Sequence, residues 1–91
     1  MNRGRKITIS GRVQGVFFRY YTQKKARSLG LRGKVRNCID GRVELWAYGP
    51  EADLDKLQHW CHDGSPASWV EEVYSENIEC NDSVSDFIIE R

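Results

Sequence analysis

The first 39 residues contain no aspartate or glutamate, although the 91-residue chain has 13 of them. The same segment holds 11 of the 14 lysines and arginines. The net charge of +1 therefore conceals a basic half followed by an acidic half. A basic segment without carboxylates of its own favours an anionic partner. The alternative is that its cations pair with the carboxylates of the second half across the fold.

Patterns that would indicate a metal centre or a disulfide framework are also missing. The three cysteines, Cys38, Cys61 and Cys80, are odd in number and form no C-x-x-C. We interpret them as free thiols of a reducing compartment and expect a cytoplasmic protein. His59 and His62 flank Cys61 on a predicted helix and suit a solvated helix face better than a zinc site. We expect neither a metal nor a cofactor.

Long apolar runs are missing too. No segment approaches the roughly 20 apolar residues of a membrane helix. Only Ile7-Thr8-Ile9 follows the basic first residues before polar residues return, which is too short for a signal peptide. We expect one domain over residues 1–91, a monomer without membrane contact. Such a chain can bury about two-thirds of its unfolded surface and needs no metal or disulfide to fold.

Hydrophobic periodicity predicts five strands and two helices. The strands are expected over residues 6–12, 31–37, 42–48, 69–79 and 84–90, and the helices over residues 18–29 and from Pro50 to just before Gly64. Asp40-Gly41 predicts a tight turn between the second and third strands. The resulting order is β-α-β-β-α-β with a split final strand. We therefore expect an α+β, ferredoxin-like sandwich, in which two helices cover one face of an antiparallel sheet.

A glycine-containing loop joins the first predicted strand to the first helix. Its sequence is Gly11-Arg12-Val13-Gln14-Gly15-Val16-Phe17-Phe18-Arg19. The two glycines let the backbone turn closely, and N–H groups that gather at a helix start form an anion site. Arg19 lies in the first helical turn, where the helix dipole costs a cation roughly 0.3–1 kcal/mol. An anion bound between Arg19 and the helix explains this placement, and we interpret that anion as a phosphate.

The predicted hairpin supplies a second polar group. Asn37 ends a strand just before the turn, so its amide can project from the end of the sheet, or it can simply form the turn. Asp40-Gly41 is interpreted as structural. Glu44 is expected to point outward from the returning strand and to pair with a lysine or arginine.

Together the two segments resemble the acylphosphatase family. The resemblance rests on Gly11–Arg19 followed by Gly33-x-Val35-x-Asn37-x-x-Asp40-Gly41-x-Val43-Glu44, with Leu29-Gly30-Leu31 between them, and it extends from Lys6 to Ile89. It implies metal-independent hydrolysis of the carboxyl–phosphate bond of acyl phosphates to a carboxylate and inorganic phosphate, without a phosphoenzyme. The catalytic residues would then be Arg19, which holds the phosphoryl group, and Asn37, which orients the attacking water. The phosphate would be bound by Arg19 together with backbone N–H groups of Gln14, Gly15, Val16, Phe17 and Phe18.

The implied reaction needs few catalytic groups from the protein. Acyl phosphates carry a good leaving group, and a loose phosphoryl-transfer transition state is helped mainly by positioning and by hydrogen-bond donors. No side-chain base is evident, so the water's proton is expected to pass to the substrate phosphate. Lys34 and Gly64-Ser65-Pro66 depart from the usual family pattern. We expect neither departure to contact the phosphate site.

Two other functions stay open at this point. One is a non-hydrolytic module for acyl or carbamoyl phosphate, because the motif is also similar to the N-terminal domain of a hydrogenase-maturation carbamoyltransferase. The other is an RNA-binding ferredoxin-like module, since Phe17, Phe18, Tyr20 and Tyr21 lie among basic residues. RNA-recognition sheets, however, stack bases on aromatics of their central strands. We expect small acyl phosphates as partners, inorganic phosphate as product and inhibitor, and no nucleic acid.

Overall fold

The computed structural model describes all 91 residues. Its elements are β1 (Asn2–Arg12), α1 (Phe18–Ser28), β2 (Arg32–Asn37), β3 (Val43–Pro50), α2 (Glu51–Asp63), β4 (Trp69–Ile78) and β5 (Phe87–Glu90). The strands form one sheet in the order β4-β1-β3-β2-β5. Two helices pack on it, and the predicted ferredoxin-like fold is confirmed. No helix has both the length and the apolar character needed to cross a membrane.

The sheet differs from the expected antiparallel one at its β5 edge. β1 pairs antiparallel with β3 and β4, and β2 pairs antiparallel with β3, but β2 and β5 are parallel. The strand directions explain this. β5 reverses the direction of β4, which precedes it, and β2 also runs opposite to β4. When the chain crosses to the far edge, β5 therefore lies parallel to β2.

The buried face of the sheet follows the predicted alternation. The inward strand residues that the alternation predicts are fully buried at Ile7, Ile9, Val35, Val43, Leu45 and Ala47. The helices cover them with their predicted apolar stripes, including Phe18, Ala26, Leu54, Leu57 and Cys61. Burial of this apolar surface is the main stabilising term of the fold.

Two predicted boundaries moved because of neighbouring strands. β1 begins at Asn2 rather than residue 6, since its pairing with β3 continues as far as Pro50. Pro50 was expected at the first helical position, but it ends β3 and caps α2 with an extended ψ of 142°. Proline is tolerated at this position because the β1–β3 pairing ends there and needs no further backbone N–H donor.

The ends of β1, β2 and β5 create the site. A register shift in the β1–β4 ladder lies at Ser10/Gly11, and Gly11 has φ 121°. A Cβ atom at Gly11 would lie 2.2 Å from the Trp69 carbonyl oxygen. Glycine is therefore required where β1 leaves the sheet and leads into the loop of residues 13–17.

Candidate active site

The loop before α1 leaves a row of backbone donors free. The N–H groups of Gln14, Gly15, Val16 and Phe17 form no hydrogen bond with any backbone acceptor. Those of the first turn of α1 have no intrahelical acceptor by geometry. No side chain caps α1, and its first turn has no acidic residue. The predicted gathering of donors at the helix start is therefore present, and it suits an anion.

Backbone strain shapes this loop. Gly15 has φ 73°, and Phe17, at the N-cap of α1, has φ 60°. A left-handed conformation costs a residue with a side chain roughly 1–2 kcal/mol. Phe17 nevertheless adopts it, and its side chain is 77% exposed. Such strain at a binding loop is typical of a functional site.

The connection between α2 and β4 supports the loop from below. The Ser65 hydroxyl, 2% exposed, donates to the Val16 carbonyl oxygen at 2.8 Å. The expectation that Gly64-Ser65-Pro66 does not contact the site is therefore wrong for Ser65. Local sequence gives no sign of this contact, because 49 residues separate the two partners.

The side chain of Gln14 binds to the β2–β3 hairpin. Its Nε2 donates to the carbonyl oxygens of Cys38 at 2.7 Å and Arg42 at 2.9 Å. The residue thus offers only its backbone N–H to the row of free donors, while its amide ties the loop to the β2–β3 hairpin. A glutamine in a loop carries no local signal for such a tie.

Arg19 differs from most basic residues of the first half. Six of those cations lie within ion-pair distance of carboxylates from the second half, namely Arg5, Lys6, Arg27, Arg32, Lys34 and Arg36. Pairing across the fold is therefore correct for these six. Arg19 has no carboxylate partner and makes one hydrogen bond, from Nη1 to the Glu90 carbonyl oxygen at 3.3 Å. Its remaining guanidinium donors are available to an anion.

A cavity of about 280 Å³ brings several predicted residues together. It is lined by Val13, Gly15, Phe17, Phe18, Arg19, Tyr20, Asn37, Ile89 and Arg91. Of the predicted site residues, Gln14 and Val16 do not line it. Arg91 and Ile89 were not predicted, because they reach the site only through the parallel pairing of β5 with β2. The lining contains no carboxylate side chain or histidine.

The hairpin beside Asn37 is built as the sequence predicts. The Asp40 carboxylate accepts from the Arg42 backbone N–H at 3.1 Å, and Gly41 has φ 94°. The Glu44 carboxylate pairs with Lys6 at 3.0 Å and Arg36 at 2.9 Å. Burial opposes ionisation of Glu44, but hydrogen bonds from Lys6, Arg36 and Cys38 outweigh it and lower its pKa to about 2.

The cysteines and histidines take no visible part in the site. Burial, followed by the hydrogen bond to Glu44, raises the pKa of Cys38 to about 11. Its thiol is therefore protonated near neutral pH and is a poor nucleophile, although it follows Asn37 in the chain. His59 and His62 are exposed on α2. No group of three histidine, cysteine, aspartate or glutamate side chains is placed to hold a metal.

Comparison with known proteins agrees with this geometry. The family model named Acylphosphatase matches residues 5–89. The chain is 44% identical over 81 residues to an acylphosphatase of Marinobacter nauticus, covering 89% of this chain and 88% of that protein. It superposes on the structure of an acylphosphatase from Coxiella burnetii with a TM-score of 0.94 and 40% identity, covering 98% of this chain and 93% of that one.

A larger protein contains a similar fold. Full-length HypF, crystallised in a phosphate- and nucleotide-bound form, superposes with a TM-score of 0.87 and 26% identity. The match covers 100% of this chain but 12% of that one. The acylphosphatases, which are hydrolases, match this chain in length. From the family match over nearly its whole length and this agreement with relatives of the same size, the chain belongs to the acylphosphatase family.

Proposed function

We propose that residues 1–91 act as one metal-independent acylphosphatase domain, with the substrate phosphate held by loop residues 14–19. One observation carries this proposal. A row of free N–H donors lies beside an arginine that has no carboxylate partner, in a cavity shared with Asn37. The guanidinium and the N–H groups would donate to the nonbridging phosphoryl oxygens, whose charge must be stabilised in the transition state.

The reaction requires one water and no covalent intermediate. The Asn37 amide oxygen accepts a hydrogen bond from the water and holds it in line with the bond to be broken. The water oxygen bonds to phosphorus while the P–O bond to the acyl group breaks, and the electron pair leaves with the carboxylate. Because no side-chain carboxylate or histidine lines the cavity, the water's proton passes to a phosphate oxygen. Positioning and electrostatic stabilisation thus supply the catalysis.

The substrates we propose are small acyl phosphates, bound mainly through their phosphate. Phe17, Tyr20 and Ile89 line the rest of the cavity and offer apolar contact to the acyl group. Inorganic phosphate would bind to the same loop as product and competitive inhibitor. Recognition centred on the phosphate favours a broad range of acyl groups.

Non-hydrolytic phosphate binding is the less favoured alternative. The resemblance to HypF, at 26% identity, supports it. The identity to acylphosphatases of the same size is higher, at 44% and 40%, and supports hydrolysis.

RNA binding has one feature in its favour that the sequence analysis missed. Trp46 lies on the central strand β3, on the sheet face opposite the helices. Lys6, Lys34 and Arg36 lie 5.4, 4.8 and 5.2 Å from its ring centroid. A base could stack on this ring only by displacing these cations from it. We therefore propose no nucleic-acid partner.

We also propose a cytoplasmic monomer. All three cysteines are free, which suits a reducing compartment. Size-exclusion chromatography with light scattering measures the oligomeric state directly.

The decisive experiment measures phosphate release from acetyl phosphate after exhaustive dialysis against EDTA. We expect full turnover, no gain on adding Mg²⁺ or Zn²⁺, and competitive inhibition by inorganic phosphate. Loss of turnover that a metal restores would overturn the metal-free mechanism. Binding of acetyl phosphate without hydrolysis would support the non-hydrolytic module. Salt-dependent RNA binding without turnover would support the nucleic-acid alternative.

A further inference from the structure

We propose that Gln14 is a positioning residue, which fixes the β2–β3 hairpin, and with it Asn37, against the phosphate loop. This inference rests on the proposed function. It adds a side-chain role, exerted through Asn37, to the backbone N–H role in phosphate binding that the sequence suggested for Gln14.

The Gln14 amide spans the base of the hairpin. Nε2 donates both of its hydrogens, one to the Cys38 carbonyl oxygen at 2.7 Å and one to the Arg42 carbonyl oxygen at 2.9 Å. Cys38 directly follows Asn37, and Arg42 lies opposite it, because the Cys38 N–H donates to the Arg42 carbonyl at 2.8 Å. The Gln14 side chain therefore binds both arms of the hairpin. Its contact at Cys38 lies one residue beyond Asn37, the predicted water-orienting residue.

The hairpin does not need Gln14 in order to form. The Cys38 N–H to Arg42 carbonyl bond closes it, and the Gly41 N–H donates to the Cys38 carbonyl at 3.2 Å. Asp40 accepts from the Arg42 backbone N–H at 3.1 Å. Both carbonyls that Gln14 contacts thus keep another donor when Gln14 is replaced. What the replacement removes is the fixed distance between the hairpin and the loop.

Asn37 depends on that fixed distance. It lines the same cavity as Gly15 and Arg19. Its backbone position at the end of β2 therefore decides where its amide meets a water aimed at the bound phosphate. A misplacement of about 1 Å in a positioning group can reduce turnover by about 10²-fold.

The test compares Gln14→Met with Gln23→Met. Methionine keeps the length and apolar contacts of glutamine but removes the N–H donors. Gln23 is a matched control, since its Nε2 also donates to a carbonyl oxygen, that of Phe87 at 2.9 Å, and it ties α1 to β5 instead of to the hairpin. We expect Gln14→Met to lower kcat about 10-fold, by loosening Asn37, with the phosphate inhibition constant within about twofold of wild type. Gln23→Met should leave kcat within about twofold.

A double-mutant cycle identifies the residue through which Gln14 acts. In an Asn37→Ala background, Gln14→Met should cost less than about twofold further in kcat, because the group that it positions is already gone. Circular dichroism confirms folding, and the uncharged Gln14→Leu, which also lacks N–H donors, is a second variant if Gln14→Met does not fold. Normal kcat in a folded Gln14 variant would overturn the proposal. A parallel loss of phosphate affinity, or a full 10-fold loss in the Asn37→Ala background, would also overturn it.

A measurement independent of turnover separates this inference from the proposed function. Absence of wild-type hydrolysis would refute the proposed function alone. The ¹⁵N and ¹H shifts of the Asn37 side-chain amide, recorded with inorganic phosphate, report the surroundings of that amide and therefore respond when the hairpin moves. They should change in Gln14→Met and not in Gln23→Met. Unchanged shifts in Gln14→Met would refute the positioning role, whatever the turnover.

Discussion

Two basic regions of this molecule look alike in the sequence and differ in the structure. One is the phosphate loop with Arg19, and the other is the open face of the sheet, where Lys6, Lys34 and Arg36 surround Trp46. Each of these three cations lies within 4 Å of a Glu44 or Glu90 carboxylate oxygen. Arg19 has a backbone carbonyl as its protein partner and free N–H donors beside it.

The loop suits an anion better than the open face does. The open face has more cations, but each is already paired with a carboxylate, so an anion would have to compete with a partner in place. The cavity beside the loop is lined by two arginines, Arg19 and Arg91, and the fold leaves the N–H donors of the loop unused. We therefore expect the loop to control activity and the open face to control stability, and the following experiments test that division.

Replacing Arg19 should have the largest effect. Arg19→Ala removes the charged two-donor contact from both ground and transition states, and we expect kcat/KM to fall by about 10³-fold or more. Inorganic phosphate should no longer raise the melting temperature, as a ligand specific for the folded state otherwise does. Arg19→Lys should not restore activity, because an ammonium group lacks the planar fork.

The matched control for Arg19 is an arginine of the open face. Arg36→Ala removes the same side chain from its pairing with Glu44, and it should change kcat/KM by less than about threefold while lowering stability. Equal losses of activity in the two variants would contradict the division between loop and open face.

Asn37→Ala should have the next largest effect. Positioning one reactant acts on the barrier and not on ground-state binding, so we expect kcat to fall by about 10²-fold with little change in the phosphate inhibition constant. Asn77→Ala, at an exposed position on β4, is the control and should behave as wild type. A folded Asn37→Ala variant with near-normal kcat would leave Asn37 as a turn-forming residue.

The sequence predicts the parts of this molecule that depend on neighbouring residues. Alternation identified the buried faces of the strands, and glycine placement identified the loop and the hairpin turn. The charge asymmetry predicts an anionic partner, yet six of the cations that produce it are paired with carboxylates across the fold.

Contacts between distant segments escaped the sequence analysis. The Ser65 hydroxyl binds a loop residue 49 positions away in the sequence. The Gln14 side chain binds hairpin residues 24 or more positions away. Arg91 reaches the cavity only because β5 runs parallel to β2. No local pattern encodes such pairings, since they follow from how the elements pack.

The ion pairs of the open face should make the free energy of unfolding depend on pH in the acid range. The hydrogen bonds of Glu44 lower its pKa from 4.5 to about 2 in the folded protein. A depressed carboxylate pKa stabilises the fold above the unfolded value, and this contribution disappears as the pH falls from about 4.5 to 2. At neutral pH it amounts to roughly 3 kcal/mol.

Glu44→Gln should therefore lower the free energy of unfolding at pH 7 and flatten its decline between pH 4.5 and 2. Urea denaturation at a series of pH values measures both effects. The exposed Glu71→Gln on β4 is the control and should leave the curve nearly unchanged. A pH profile for Glu44→Gln that runs parallel to wild type would show that the ion pairs of the open face contribute no acid-sensitive stability.

The smallest expected effect comes from comparing alanine substitutions at two glycines. Gly15 has φ 73° and Gly30 has φ 71°, and no atom lies within 4 Å of a Cβ added at either. Alanine should therefore impose the same left-handed strain at both sites, roughly 1–2 kcal/mol, and lower the melting temperature equally. Only Gly15 lines the cavity. A methyl group there occupies space that the phosphate would fill.

We expect Gly15→Ala to raise the phosphate inhibition constant about 10-fold through lost close approach, and Gly30→Ala to leave it unchanged. Thermal unfolding checks that the strain is equal, and inhibition of acetyl phosphate hydrolysis measures the site. If both variants lose the same stability and neither loses phosphate affinity, the space beside Gly15 is not where the phosphate lies. Gly15 would then play no more part in binding than Gly30 does. Groups on the Arg19 side of the cavity alone would bind the anion.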